Sequence, residues 1–121
     1  MAFEVSLQTV SVPASADLST KQFLFGTINA SGQVAVVGAG LASDGVIALG
    51  PAAQGRPCAL ASFPGQIARV MAGAAFANGA LLEADANGKA ITQSSGKILA
   101  KALAAAGAAG DIVPVLLILQ W

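Results

Sequence analysis

Turn-forming residues recur at short, regular intervals along this chain, and no other feature limits its possible folds as much. Asn78 with Gly79 and Asn87 with Gly88 are typical, and similar pairs occur every few residues from Ser31 onwards. The segments between them are short and rich in β-branched or alternating apolar residues, as β-strands are. A chain of 121 residues can form one domain with its own core. The sequence therefore predicts an all-β fold, a small compact domain resembling a β-barrel or sandwich.

The predicted strands follow from the positions of these turns. We expect strands near residues 3–11, 22–29, 33–37, 45–49, 57–62, 66–72, 80–84, 89–92, 97–103 and 112–119. One segment is ambiguous: residues 97–106, KILAKALAAA, also suit a helix with Ser95 as its cap and Gly107 as its stop. Residues 112–119 are apolar on both faces of a strand, so either the domain's own core or a neighbouring copy must cover them. Pro114 within them suggests an edge, a strand start or a bulge.

Composition argues against several classes of partner. Six basic and six acidic residues are scattered along the chain and cancel to zero net charge. Nucleic acid and anionic membranes are therefore poor partners, because both are held largely by clustered Lys and Arg. The N-terminus lacks the pattern of a secretory signal, and the longest apolar run near the C-terminus is too short for a membrane helix of about 20 residues. A chain without net charge does not repel its own copies, which favours self-association.

The residue types that the chain lacks argue against catalysis. It contains no His, no Tyr and one Cys, so the usual general base and any internal disulfide are missing. Cys58 has no His to activate it and is interpreted as a small strand residue. We expect no enzyme activity, no catalytic residues and no cofactor or metal.

Two short motifs resemble ligand sites but lack essential parts. In QVAVVGAGLASDG, Gly38 and Gly40 match a dinucleotide fingerprint, yet Ser43 occupies the third glycine position and no helix follows. A hairpin turn between two strands explains this stretch better. Further along, Glu83 and Asp85 precede Asn87 and Gly88, in an order reminiscent of a calcium loop without its closing Glu. We interpret residues 85–89 as a hairpin turn, and the alternative is that Glu83 and Asp85 form a catalytic carboxylate pair.

The order of these parts resembles a known family. The segment VMAGAAFANGALLEADANGKAITQSSGKILAKALAAAGAAGDIVPVLL, from Val70, looks like the C-terminal half of the small capsid decoration, or cement, proteins of tailed bacteriophages. Upstream, QFLFGTINASGQVAVVGAGLASDGVIAL is similar to the opening of that family. Together the two stretches cover about residues 22–119. The motifs consist mostly of Ala and Gly, so the resemblance depends on their order and spacing.

The resemblance implies a structural role. It implies a β-barrel-like domain that binds the major capsid protein as a homotrimer on the outer surface of the virion and stabilises the shell, after synthesis in the host cytoplasm. It also implies an extended conformation for residues 97–103. The family has no catalytic residues to transfer. The alternative is a small carbohydrate- or ligand-binding β-module, although only five Phe and one Trp could line its cleft.

Candidate contact residues lie near both ends of the chain. We expect residues 1–20 to form an N-terminal arm and linker, and residues 21–121 to form the domain. An arm of this kind would pair with the capsid through the alternating face of its strand, whereas the alternative is an ordinary first strand of the barrel. The candidate contacts with capsid or subunit are Phe3, Val5, Leu7, Leu117, Leu119 and Trp121.

Overall fold

A computed structural model describes residues 9–47 and 53–120 and shows an all-β protein, which confirms the predicted fold class. Within those residues there is no helix. The strands are β1 (Thr9–Pro13), β2 (Phe25–Ile28), β3 (Val34–Val36), β4 (Gly45–Ile47), β5 (Pro57–Ala61), β6 (Ile67–Met71), β7 (Leu81–Ala84), β8 (Ala90–Thr92), β9 (Ala100–Ala102) and β10 (Ile112–Leu117). Nine of them lie inside predicted segments, and β1 extends to Pro13, past the predicted end at residue 11.

The strands form two antiparallel five-stranded sheets. The first has the order β1-β5-β4-β2-β3 and the second β6-β10-β9-β7-β8. In each sheet a single parallel bridge joins the end of one edge strand to the start of the other, Ala14 to Val34 in the first and Ala72 to Ala90 in the second. Each sheet therefore curls towards a closed barrel, in which the two edge strands meet at one end.

The ambiguous segment 97–106 contains the strand β9. Ala100 and Ala102 are buried and Lys101 between them is exposed, which is the alternation of a half-buried strand. β9 pairs with β7 on one side and with β10 on the other. Pairing on both sides overrides the helix propensity of alanine, which is only a weak preference.

Pro114 was expected to mark a sheet edge, a strand start or a bulge. The edge is wrong, because β10 is a central strand between β6 and β9. The paired residues of β9 oppose Val115, Leu116 and Leu117, so this ladder stops just before Pro114. The Pro114 carbonyl still accepts a hydrogen bond from the Leu103 N–H at 3.0 Å. Proline is tolerated here because its missing N–H falls on the side where the ladder has ended.

The core consists of two hydrophobic clusters. The smaller one lies inside the first sheet and includes Ile47, Cys58 and Leu60. Ala14 and Leu18 also belong to it, at 0% and 3% exposure, within the residues 1–20 that were predicted as an arm and linker. Both side chains therefore contribute to the core of the first barrel.

The two sheets are structural repeats of each other, joined in tandem. Their strand orders match strand for strand, with β1 to β5 corresponding to β6 to β10. The residues between β2 and β3, NASGQ, correspond to DANGK between β7 and β8. In both turns the first side chain accepts two backbone N–H bonds: Asn29 Oδ1 from Ser31 and Gln33, both at 3.0 Å, and Asp85 Oδ1 from Asn87 and Lys89, at 2.8 and 3.0 Å. We call residues 9–61 the N-repeat and residues 67–117 the C-repeat.

The correspondence extends to unusual backbone positions. Phe23 has a φ of 70° and donates to the Ile47 carbonyl at 2.8 Å, while Gly79 has a φ of 85° and donates to the Ala102 carbonyl at 2.9 Å. A positive φ is rare for phenylalanine and common for glycine. The repeat therefore explains the Phe23 conformation, because the shared turn demands a left-handed residue at that point.

Candidate functional site

A shallow depression lies beside Glu83, a buried acidic residue of β7. Its volume is about 500 Å³, and it lies between the β3–β4 loop and the β8–β9 loop. Glu83 is 5% exposed, and its Oε1 accepts from the Ser94 N–H at 2.7 Å and from the Ser94 hydroxyl at 2.9 Å. A side chain at Gly96 would collide with the Glu83 carboxylate and with Gly40. The depression is therefore closed at its base by a backbone contact that only glycines allow.

The electrostatics of Glu83 fit a structural role. The hydrogen bond from the Ser94 N–H lowers the pKa of this carboxyl below its usual value, against the opposing effect of burial. The Ser94 hydroxyl and the backbone N–H groups of Gly96 and Ser95 lower the pKa further. These donors stabilise the charged form. A carboxylate held this way is a poor proton acceptor and a good clamp between loops.

Asp85 is occupied in the same manner. Its Oδ1 accepts two backbone N–H bonds within the β7–β8 turn, and Gly88 in that turn has a φ of 78°. This confirms the hairpin turn predicted for residues 85–89. The proposed carboxylate pair of Glu83 and Asp85 is thus two separate structural acceptors. Among the residues described, no group of three or more acidic, His or Cys side chains could hold a metal ion.

The glycine-rich stretch around Gly38 is a loop between β3 and β4, and the predicted hairpin turn is wrong, because β3 and β4 do not pair and β2 lies between them in the sheet. Gly40 has a φ of 67°, its N–H donates to the Ala84 carbonyl at 2.9 Å, and its carbonyl accepts from the Lys97 N–H at 3.0 Å. Ser43, at the broken position of the fingerprint, is fully buried and donates its hydroxyl to the Gly26 carbonyl at 2.7 Å. These loop amides therefore join the two repeats and do not face a phosphate.

Cys58 lies in β5, as predicted, with no exposed surface. Burial raises the pKa of its thiol, which disfavours the nucleophilic thiolate. The side chain packs in the apolar cluster of the N-repeat. Its position is that of a core residue.

The sequence-predicted contact residues divide into two groups. Phe3, Val5, Leu7 and Trp121 lie outside the described residues. Leu117 and Leu119 are 1% and 4% exposed and pack in the chain's own core. A partner contact through these two leucines stays a prediction, and the surface proposed below depends on exposed residues instead.

Sequence reasoning missed the apolar side chains that do reach the surface. Those with the largest exposure among the described residues are Val10, Leu41, Phe63, Leu81, Ile112 and Ile118, at 37%, 60%, 44%, 41%, 41% and 37%. Alternation along a strand does not show which face a second sheet covers, so these residues looked the same as core residues in the sequence. Within the described part of the chain, no helix has the length and apolarity to cross a membrane.

Comparison with known proteins identifies the family. The profile of phage cement proteins matches residues 9–117, nearly the whole chain. The chain belongs to the phage cement protein family. As a member it is a structural, capsid-associated protein of the virion, found at the outer surface of the capsid, and this points away from an enzyme. No curated protein matches the chain.

A solved structure shares the fold of this cement protein. The crystal structure of the head fiber gp8.5 N base of bacteriophage phi29 superposes with a TM-score of 0.73 at 18% sequence identity, covering 93% of this chain and 97% of that one. At this identity the likeness establishes the fold. Since nearly all of both chains superpose, the tandem pair of curled sheets is the whole shared unit.

Proposed function

We propose that this cement protein binds the major capsid protein as a homotrimer on the outside of a bacteriophage head and stabilises the shell. The family match over residues 9–117 is the observation on which the proposal depends. The head-fiber likeness supports it, because a domain of the same fold belongs to another phage head. The repeats themselves offer two barrel ends and several exposed apolar side chains for contacts between proteins.

The geometry of the Glu83 depression also supports a binding protein over an enzyme. Its carboxylate is committed to Ser94, and Asp85 beside it is committed to the turn amides. Repeated shallow contacts suit a protein bound in many copies, since several weak contacts to one particle add up to firm attachment.

We further propose that the residues preceding β1 reach the capsid. Phe3, Val5 and Leu7 alternate with polar residues, so they could add one apolar strand face to an exposed sheet edge. Trp121 is a second candidate anchor, because a large amphipathic ring is favoured at interfaces.

The test of this function uses phage heads that lack the protein. Purified protein should sediment with the heads, and decorated heads should break open at a higher temperature than bare ones. Failure to sediment with heads at micromolar concentration would refute capsid binding. Binding without a shift in the temperature of head rupture would refute the stabilising role alone. Deletion of residues 2–8 should weaken sedimentation with heads while circular dichroism stays that of a β-protein.

A further inference from the structure

The contact between the two repeats within one chain covers a defined apolar row. Phe25, Val46 and Ala61 lie side by side across β2, β4 and β5, where Phe25 pairs with Val46 and Val46 with Ala61. Their exposures are 0%, 1% and 0%, and they belong to the same hydrophobic cluster as the core of the C-repeat. This row is therefore the surface of the N-repeat that the C-repeat covers.

The C-repeat contributes a hairpin tip and a strand to this contact. The Gly88 carbonyl, in the β7–β8 turn, accepts from the Phe25 N–H at 2.8 Å. A Cβ placed on Gly88 would lie 2.6 Å from Val36 Cγ1 and 3.5 Å from Leu24 Cβ, so the tip packs tightly against the N-repeat. β6 lies beside this hairpin tip, and the Met71 N–H in β6 donates to the Phe23 carbonyl at 2.9 Å.

The row equivalent to Phe25, Val46 and Ala61 is uncovered in the C-repeat. It consists of Leu81, Lys101 and Leu116, which pair across β7, β9 and β10 in the same way. Leu81 is 41% exposed, Lys101 is exposed and Leu116 is half-buried. One end of the molecule therefore presents the surface that the other end buries.

The complementary surface is uncovered in the N-repeat. Gly32 is the equivalent of Gly88, with a φ of 74° in place of 78°, yet a Cβ on Gly32 would meet nothing within 4 Å. Val10 in β1 is 37% exposed, whereas its equivalent Ala68 in β6 is 2% exposed. The β7–β8 hairpin and β6 of the C-repeat pack against the N-repeat. Their equivalents in the N-repeat, the β2–β3 hairpin and β1, are therefore exposed.

We propose that copies of this chain join by repeating their internal contact, so that Leu81, Lys101 and Leu116 of one copy receive the β1 strand and the β2–β3 hairpin of the next. We call the first surface the receiving face and the second the docking face. The inference rests on the proposed trimer and deepens it, since three copies joined this way would place six similar barrels around one threefold axis. A head-to-tail contact of this kind closes into a ring when its rotation allows.

Two differences make the contact between copies weaker than the internal one. Lys101 stands where Val46 is buried, so its methylenes must cover the apolar row while the ammonium stays at the rim. Pro13 is the equivalent of Met71, whose N–H donates to the Phe23 carbonyl in the internal contact. Proline has no N–H, so the contact between copies lacks this hydrogen bond.

The test measures the mass of variants by light scattering over a range of concentrations. Wild-type protein should have three times the 11.8 kDa mass of the chain. Leu81→Asp on the receiving face should be a folded monomer, because a charge would be buried in the contact. Leu41→Asp is the matched control: Leu41 is 60% exposed, lies outside both faces, and its variant should stay a trimer.

The docking face is tested by Gly32→Asn. Asparagine tolerates a positive φ, and open space surrounds Gly32 within one chain, so the variant should fold but fail to associate. Gly55→Asn is its control, because Gly55 has a φ of 80° and both Gly55 and its equivalent Gly110 are open. A mixture of Leu81→Asp and Gly32→Asn monomers should give a heterodimer, since each variant retains the face that the other lacks.

The outcomes separate this contact from the proposed function. Trimers of both Leu81→Asp and Gly32→Asn would overturn the contact and leave the trimer standing. A wild-type monomer at every concentration would overturn the contact and the trimer together, and sedimentation with heads would then decide capsid binding alone. Monomeric variants that do not form a heterodimer on mixing would also count against the contact.

Discussion

At the scale of single residues, Glu83 shows how a group that resembles a catalytic acid serves the structure. It occurs two positions before Asp85, a spacing that places both on one face of a strand. In the fold its Oε1 receives the N–H and hydroxyl of Ser94, and its other oxygen lies against Gly96. The carboxylate thereby holds the β8–β9 loop against the β3–β4 loop, at the joint between the repeats.

The first prediction concerns Glu83→Gln. At pH 7 the free energy of unfolding of the variant should be about 1–3 kcal/mol lower than that of the wild type, because hydrogen bonds to a charged acceptor are lost or mismatched. The folded pKa of Glu83 lies below its usual value of about 4.3, so its contribution is present above that pH and is lost as the pH falls through the folded pKa. Urea unfolding at pH 7 and pH 3 measures this. If the difference in free energy of unfolding between wild type and variant is as large at pH 3 as at pH 7, the assigned role is contradicted.

The second prediction concerns Cys58→Ser. Cys58 is fully buried among apolar side chains, so a serine hydroxyl there should lower the free energy of unfolding by about 1–3 kcal/mol. Capsid binding and association should be unchanged at temperatures where the variant is folded. Sedimentation with heads, measured beside thermal unfolding, separates the two effects, and loss of binding by a folded variant would give Cys58 a role that the structure does not show.

At the scale of elements, the two hairpins provide a matched comparison. Asn29→Ala and Asp85→Ala each remove an acceptor of two backbone N–H bonds from the same kind of turn. Each should lower the free energy of unfolding by about 1–2 kcal/mol, from hydrogen bonds of about 0.5–1.5 kcal/mol. Asp85→Ala should cost more, because only its hairpin packs against the other repeat through Gly88. Chemical denaturation measures the order, and a larger loss for Asn29→Ala would contradict the packing difference.

The elements themselves were predictable from the sequence because turn chemistry is local. Residues such as Asn87 and Gly88 define a turn by their own backbone preferences, and the strands follow between turns. The strand in residues 97–106 is the exception: local propensity does not predict it, because its pairing with β7 and β10 decides the conformation. The tandem repeat was not predictable, since the two halves share little beyond NASGQ and DANGK. Burial of Leu117 and exposure of Leu81 depend on which sheet face the other repeat covers, and a period of two residues cannot show that.

At the scale of the whole molecule, the protein is two similar barrels joined by one contact whose two faces recur, uncovered, at opposite ends. This arrangement suits a cement protein, because the same contact can act within and between chains while other surfaces face the shell. The Lys101→Val variant tests this view. Restoring the apolar residue found at Val46 should strengthen the trimer, seen as association at lower concentration in light scattering, with Lys97→Val as a control outside the row.

Electron cryomicroscopy of heads incubated with the purified protein tests the central claim most directly. We expect density on the outer surface of the shell, absent from bare heads, with threefold symmetry and six barrel-sized lobes per trimer. Heads without added outer density at saturating protein, or density of single two-lobed molecules without threefold symmetry, would contradict the account.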